Sequence, residues 1–205
     1  MQGEGLKLIL SGPSGSGKGT IVKELIKNEQ FILSISATTR TPRAGEVDGQ
    51  HYFFKSKEDF EEMIAQKALL EYACFCDNYY GTPKAFIDQA VEEGKDVILE
   101  IEVQGALQVK NVYPDAIFIF IMPPTFEELK NRLIGRGTET EEVIHQRLAR
   151  AIKELELYQE YDYIVVNDDL NVAVQDIISI AQAEKSRSYR YKTYIQEMLD
   201  HKGGN

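Results

Sequence analysis

Seven consecutive residues, Gly12-Pro13-Ser14-Gly15-Ser16-Gly17-Lys18, fit the pattern G-x-x-x-x-G-K of a phosphate-binding loop. Glycines let successive backbone N–H groups turn inward around phosphate oxygens, and a helix that follows points its positive end at the same charge. Lys18 would reach the β- and γ-phosphates of a nucleotide. The strict pattern places Ser or Thr directly after the lysine, whereas this chain has Gly19 and then Thr20. The displaced hydroxyl argues against direct magnesium ligation by the loop. It leaves magnesium to nucleotide oxygens and water, and Thr20 to the α-phosphate.

Charge supplies the second signal. The chain carries a formal net charge of −10 over 205 residues, which excludes a general nucleic-acid surface. Arginines nevertheless cluster, Arg40 with Arg43 and Arg132, Arg136, Arg147 with Arg150, an arrangement suited to a small anionic ligand. Glu100 and Glu102 fall at the carboxyl end of a predicted parallel strand, where ligands of doubly wound sheets bind. Two carboxylates at i and i+2 share one face of a strand. Read singly, each of these residues has a plainer meaning: Arg40 and Arg43 as loop charges, Tyr52 as a core aromatic, Glu71 as an exposed strand carboxylate. The loop alone marks a nucleotide binder, not an enzyme class.

These side chains need elements to position them. Apolar, β-branched runs predict strands at Leu6–Leu10, Phe31–Ile35, Asp96–Ile101, Ala116–Met122 and Tyr163–Val166. Helices are predicted at Thr20–Lys27, Pro83–Glu93, Gly105–Val112, Thr125–Ile134, Thr140–Tyr158 and Val172 to about Leu199. Strands alternating with helices predict a parallel sheet covered on both faces. Two segments break that rhythm. Residues 36–82 hold turn residues, an aromatic strand Tyr52-Phe53-Phe54 and a helix beginning near Ser56, and they read as a small antiparallel insert on the main sheet. Residues 125–158 begin two helices, at Thr125 and Thr138, around Gly135-Arg136-Gly137. That triplet is either a mobile flap or a plain helix-helix turn.

The phosphate loop is followed, in order, by further motifs. They are Ser36-Ala37-Thr38-Thr39-Arg40-Thr41-Pro42-Arg43-Ala44-Gly45-Glu46-Val47-Asp48-Gly49, Tyr52-Phe53-Phe54, Glu71-Tyr72-Ala73 and Asn78-Tyr79-Tyr80-Gly81-Thr82. Glu100-Ile101-Glu102-Val103-Gln104-Gly105, Gly135-Arg136-Gly137 and Val166-Asn167-Asp168 complete the set. Together they resemble the guanylate kinase family over nearly the whole chain. The resemblance implies an α/β fold of the P-loop nucleoside monophosphate kinase type, a parallel sheet flanked by helices. It implies a core of residues 1–35, 83–124 and 159–205, a small mixed α/β GMP-binding insert at 36–82 and a helical lid at 125–158.

The same resemblance assigns roles. ATP would lie on Gly12 to Thr20, with Asn167 near the adenine edge and Asp168 beside it. Arg40 and Arg43 would clamp the GMP phosphate through forked, charge-assisted bonds, with the hydroxyls of Tyr52 and Tyr80. Glu71 would accept from guanine N1–H and N2–H₂, helped by Ser36 and Thr82. Glu102 would contact guanine or the ribose region, and Glu100 would orient arginines or magnesium-bound water. Lys18, Arg43, Arg136 and Arg147 would carry the charge of in-line phosphoryl transfer, with Arg132 joining them and Arg150 left as a surface or helix-pairing charge. The acceptor is already a phosphate dianion, so no strong general base is needed. A catalytically inert interaction module of the same family would lack the intact loop, and a kinase for AMP or dTMP would lack the set from Arg40 to Tyr80.

The remaining expectations are modest. No run of apolar residues approaches the ~20 needed to cross a bilayer, and no basic-then-apolar leader opens the chain. Cytoplasm is the expected compartment, with no membrane or nucleic-acid partner and with a homo-oligomer left open. Cys74 and Cys76 are too close for an unstrained disulfide and read as free thiols. The charged stretch Glu184–Lys192 reads as the exposed face of the last helix.

Overall fold

The computed structural model describes residues 4–43, 45–75, 77–135 and 141–200. In chain order it opens with β1 (Lys7–Ser11), α1 (Lys18–Leu25), β2 (Phe31–Leu33), β3 (Ala37–Thr38) and β4 (Phe53–Phe54). Next come α2 (Lys57–Ala65), β5 (Leu69–Phe75), β6 (Asn78–Pro83), α3 (Lys84–Glu92), β7 (Asp96–Glu100) and α4 (Val103–Val112). The chain closes with β8 (Ile117–Met122), α5 (Phe126–Ile134), α6 (Glu141–Leu155), β9 (Tyr163–Val166), α7 (Leu170–Lys185) and α8 (Lys192–Asp200).

Five strands form a parallel sheet in the order β2-β7-β1-β8-β9. The side-chain period of two divides its core in half. Leu8 and Leu10 of β1 join Ile21 and Leu25 of α1 and Ile177 of α7 on one face. Ile9, between them, joins Ile87 and Val91 of α3 and Val109 of α4 on the other. Each fully buried Leu, Ile or Phe contributes on the order of 2 kcal/mol, so β8, with Ile117 to Ile121 all buried, is the sheet's main apolar girder.

The insert has its own sheet, ordered β4-β3-β6-β5, and is not an antiparallel extension of the main one. Its pairings β3–β6 and β5–β6 are antiparallel, but β3 and β4 run parallel. Buried Phe60 of α2, stacked on Tyr79 at 5.2 Å between ring centroids, seals it from one side. Ser56 caps α2 as its position in the sequence predicts, its hydroxyl accepting from Asp59 N–H at 3.0 Å. Thr125 likewise caps α5, accepting from Glu128 N–H at 3.0 Å. Helices α5 and α6 close on each other through Leu129, Leu133, Leu148 and Ala151.

The last helix differs from expectation. It is two helices, because α7 ends at Lys185, where the Ser186 hydroxyl donates back to Gln182 O at 3.1 Å and competes with the ladder. Arg187 is then extended, and a short 3-10 turn at Ser188–Tyr191 redirects the chain into α8. Glu184 is not on an exposed face: it is 7% exposed and accepts a short hydrogen bond from the Tyr163 hydroxyl. No described helix is long and apolar enough to cross a membrane.

Candidate active site

The glycine-rich segment lies between β1 and α1, at the carboxyl end of the parallel sheet, where ligands of such folds bind. Two glycines fix its shape. Gly12 has φ 146°, and a Cβ there would stand 2.0 Å from the Ile121 carbonyl oxygen of β8. Gly17, with φ 89°, leaves room for the Asn167 amide, whose Nδ2 would lie 2.2 Å from an added Cβ. Lys18 arches back over the loop and is 8% exposed. Its Nζ donates to Gly12 O at 2.5 Å and to Pro13 O at 3.3 Å.

Asn167, just beyond β9, is buried beneath this loop. Its Nδ2 donates to Ser16 O at 2.8 Å, and its backbone N–H to Met122 O at 2.8 Å. Arg132 of α5 completes the brace, donating from Nη2 to Asn167 O at 3.0 Å and from Nε to Glu128 at 2.8 Å. The side-chain amide expected at an adenine edge is therefore engaged with the loop backbone. Thr20 and Asp168 are exposed, and Pro13 and Ser16 are buried.

The insert gathers a second cluster of charged and aromatic side chains. The Arg40 guanidinium lies 5.5 Å from the Tyr52 ring centroid and 5.9 Å from that of Phe54, and Tyr52 meets Tyr80 edge-on at 6.2 Å. Glu46 holds Arg40 from the other side, at 2.8 and 3.0 Å from Nη2. Its Oε2 also accepts from the Arg43 backbone N–H at 2.7 Å. With Arg40 and the Arg43 amide as donors, the Glu46 carboxyl is lowered to about 2. The Arg43 side chain itself is exposed. Glu71 on β5 accepts from the Thr82 hydroxyl of β6 at 2.7 Å. Burial raises the Glu71 pKa, and the Thr82 hydrogen bond offsets part of the rise. Ser36 is half-buried where β2 leads to β3, its carbonyl accepting from Phe53 N–H at 2.9 Å.

Glu100 and Glu102 do not share a strand face, because β7 ends at Glu100 and Glu102 stands at the start of α4. A Cβ on Gly19 would stand 3.6 Å from Glu100 Oε1, so this carboxylate borders the phosphate loop. Although it reaches solvent, the cleft walls thin its water: desolvation raises its pKa most, and Lys18 pulls it down. Glu102 instead accepts from Arg150 of α6 at 3.1 Å, and Arg150 also donates to Glu154 at 2.7 Å. Arg150, expected to be a surface or helix-pairing charge, is the second, tying α6 to the start of α4. Arg147 is half-buried on α6, and Arg136 lies outside the described residues.

Sequence reasoning overlooked Glu46 and the brace from Arg132 through Asn167 to Ser16. The first had a signal, an acid three residues after Arg43 in a loop already holding two arginines. The second had none, since 35 residues separate Arg132 from Asn167. Among the described residues no group of three or more His, Cys, Asp or Glu side chains could hold a metal ion.

A family profile described as guanylate kinase matches residues 5–184. A guanylate kinase of Clostridioides difficile is 55% identical over 195 residues, covering 95% of this chain and 95% of that one. One from Caldanaerobacter subterraneus is 56% identical over 190 residues, 92% of each chain. The crystal structure of guanylate kinase from Anaplasma phagocytophilum superposes with a TM-score of 0.70 at 31% identity, covering 92% of this chain and 90% of that one.

Proposed function

This chain belongs to the guanylate kinase family, an ATP:GMP phosphotransferase, and from that premise we propose how its residues divide the reaction. ATP lies on the loop from Gly12 to Thr20, with its terminal phosphates at Lys18. Asn167 acts beneath them as a brace. GMP lies in the insert. Arg40, Arg43, Tyr52 and Tyr80 hold its phosphate, and Glu71 with Thr82 and Ser36 reads guanine. A carboxylate accepts from two adjacent donors at once, which the Watson–Crick edge of guanine offers and that of adenine does not.

What supports this reading most is the grouping of Arg40, Tyr52 and Tyr80 around one point of the insert. In this reading residues 36–82 are the acceptor side, residues 125–158 the lid, and the rest the core. Magnesium enters with ATP as part of the substrate. Gly19 offers no hydroxyl, so the ion keeps nucleotide oxygens and water, and we assign the orienting of that water to Glu100, which borders the loop.

The reaction is an in-line displacement in which a GMP phosphate oxygen attacks the γ-phosphorus and ADP leaves. The protein's part is positioning and charge. Lys18 exchanges its loop carbonyls for phosphate oxygens. Arg136 and Arg147 supply cations as the lid closes and excludes water. A homo-oligomer and a cytoplasmic setting belong to the same proposal. The exposed apolar residues Ile195, Met198 and Leu199 of α8 support the first.

The test measures ADP release from MgATP with GMP, AMP, CMP, UMP and dTMP, alongside Lys18→Ala. Turnover with GMP alone, lost in the variant, is the expected result. Turnover with AMP as fast as with GMP would overturn the guanine-reading role of Glu71.

A further inference from the structure

Glu46 is the acid that lies closest to the cations of the acceptor side, and the reaction described above gives it no part. It makes two kinds of contact at once. Its carboxylate meets the Arg40 Nη2 at 2.8 and 3.0 Å, and the same carboxylate accepts from the Arg43 backbone N–H at 2.7 Å. The Glu46 backbone N–H donates in turn to Arg43 O at 3.0 Å, closing a turn whose ends are Arg43 and Glu46. Arg40 Nη1 is fixed by Thr41 O at 2.8 Å. The side chains of Arg40 and Glu46 are 14% and 17% exposed, with the Tyr52 and Phe54 rings beside the guanidinium.

We propose that Glu46 is a positioning residue for GMP, setting the Arg40 fork and the Arg43 backbone in the geometry that receives the acceptor phosphate. A free arginine side chain spreads over many rotamers, and each must be given up when a dianion is gripped. Glu46 takes that loss before GMP arrives. It does so without exhausting the fork, since a guanidinium has five N–H donors and Glu46 and Thr41 engage only its two terminal nitrogens. Glu46 also lends Arg40 a counter-charge in a loop that holds two arginines. Because its carboxyl stays ionised far below neutral pH, this support does not fade anywhere in the enzyme's working range.

The inference rests on the reading of Arg40 and Arg43 as the phosphate clamp, and four variants separate the two ideas. Glu46→Gln keeps the shape and removes the charge. It should raise the KM for GMP about tenfold or more while kcat at saturating GMP and the KM for ATP change less than about threefold. Guanosine, which has no phosphate, measures the base-reading half alone, and its inhibition constant should stay within about twofold of the parent's. An insert that had merely lost its fold would lose guanosine as well. The double variant Arg40→Lys with Glu46→Gln should lose less GMP affinity than the two single losses combined, because part of what Glu46 does runs through the Arg40 fork.

A KM for GMP that is unchanged or lower in Glu46→Gln overturns the proposal. So does an equal loss of guanosine and GMP, and so does full additivity in the double variant. If Arg40→Ala also leaves GMP binding intact, the clamp reading itself fails. If Arg40→Ala weakens GMP and Glu46→Gln does not, only the role of Glu46 fails.

Discussion

Thr82 donates its hydroxyl to Glu71 across 2.7 Å, from β6 to β5, and so fixes a half-buried carboxylate against the insert sheet. The bond uses one lone-pair direction of Oε1 and leaves the carboxylate able to accept from a ligand. Glu71→Gln replaces an acceptor with a donor opposite guanine N1–H and N2–H₂. Its kcat/KM for GMP should fall about 100-fold, from unpaired donors worth roughly 2–3 kcal/mol. Steady-state rates with GMP at fixed MgATP check this.

The same burial makes guanine binding depend on pH. Desolvation raises the Glu71 pKa, so the folded protein holds that proton to a higher pH than the unfolded chain does. Two consequences follow in the window between the two values. The ligand-free protein loses stability as pH rises through it, since the folded state then gives up the extra proton. Guanosine affinity, in contrast, rises through the same window, because only the carboxylate accepts from both guanine donors. Guanosine avoids the titration of the GMP phosphate, so its inhibition constant against pH reads Glu71 directly. Glu71→Gln should flatten the profile.

Asn167 supports the loop through Ser16 O. Asn167→Ala should cost about 1–3 kcal/mol in denaturant unfolding, the range for leaving a buried acceptor without its donor. It should raise the KM for ATP and leave that for GMP unchanged. A contact to adenine would make the loss depend on the donor base. A brace makes it the same for ATP and GTP as phosphoryl donors, and comparing the two donors decides the point.

Gly17 and Gly19 stand two residues apart and should respond in opposite ways. Gly17→Ala drives a Cβ to 2.2 Å from Asn167 Nδ2 at φ 89°, so it should abolish turnover and lower thermal stability. In Gly19→Ser the added Cβ meets only the Glu100 carboxylate, at 3.6 and 4.0 Å, ordinary contacts. It should fold as well as the parent and lower the magnesium concentration for half-maximal rate, by offering the ion a hydroxyl. Circular dichroism melts and magnesium titrations check the pair.

The order of strands and helices was legible because it rests on local signals. The apolar run of β8, the glycine pattern after β1 and the caps at Ser56 and Thr125 each declare themselves within a few residues. Whatever depends on distant partners was not. Asn167 reads as a polar residue at a strand end, and only the fold brings it under Ser16, 151 positions away. Glu102 looked like a strand residue because the sequence does not mark the end of β7 at Glu100. The break at Ser186 was hidden by a sequence that stays polar and amphipathic through it. It needed the hydroxyl's bond to Gln182 O to become visible.

The parallel pairing of β3 with β4 sets a limit on the insert's length. Two parallel neighbours require the chain to travel back the full length of the pair before starting again, a crossover of a dozen or more residues. The stretch from Thr39 to Tyr52 is that return path, and it carries Arg40, Arg43 and Glu46. Deletions within it should unzip β4 from β3 before they disturb any ligand contact. Extra residues at Gly45 would spare that pairing but open the turn in which the Glu46 N–H donates to Arg43 O. The strand pairing thus sets a lower bound on the length of this segment, and the turn from Arg43 to Glu46 fixes where it bends.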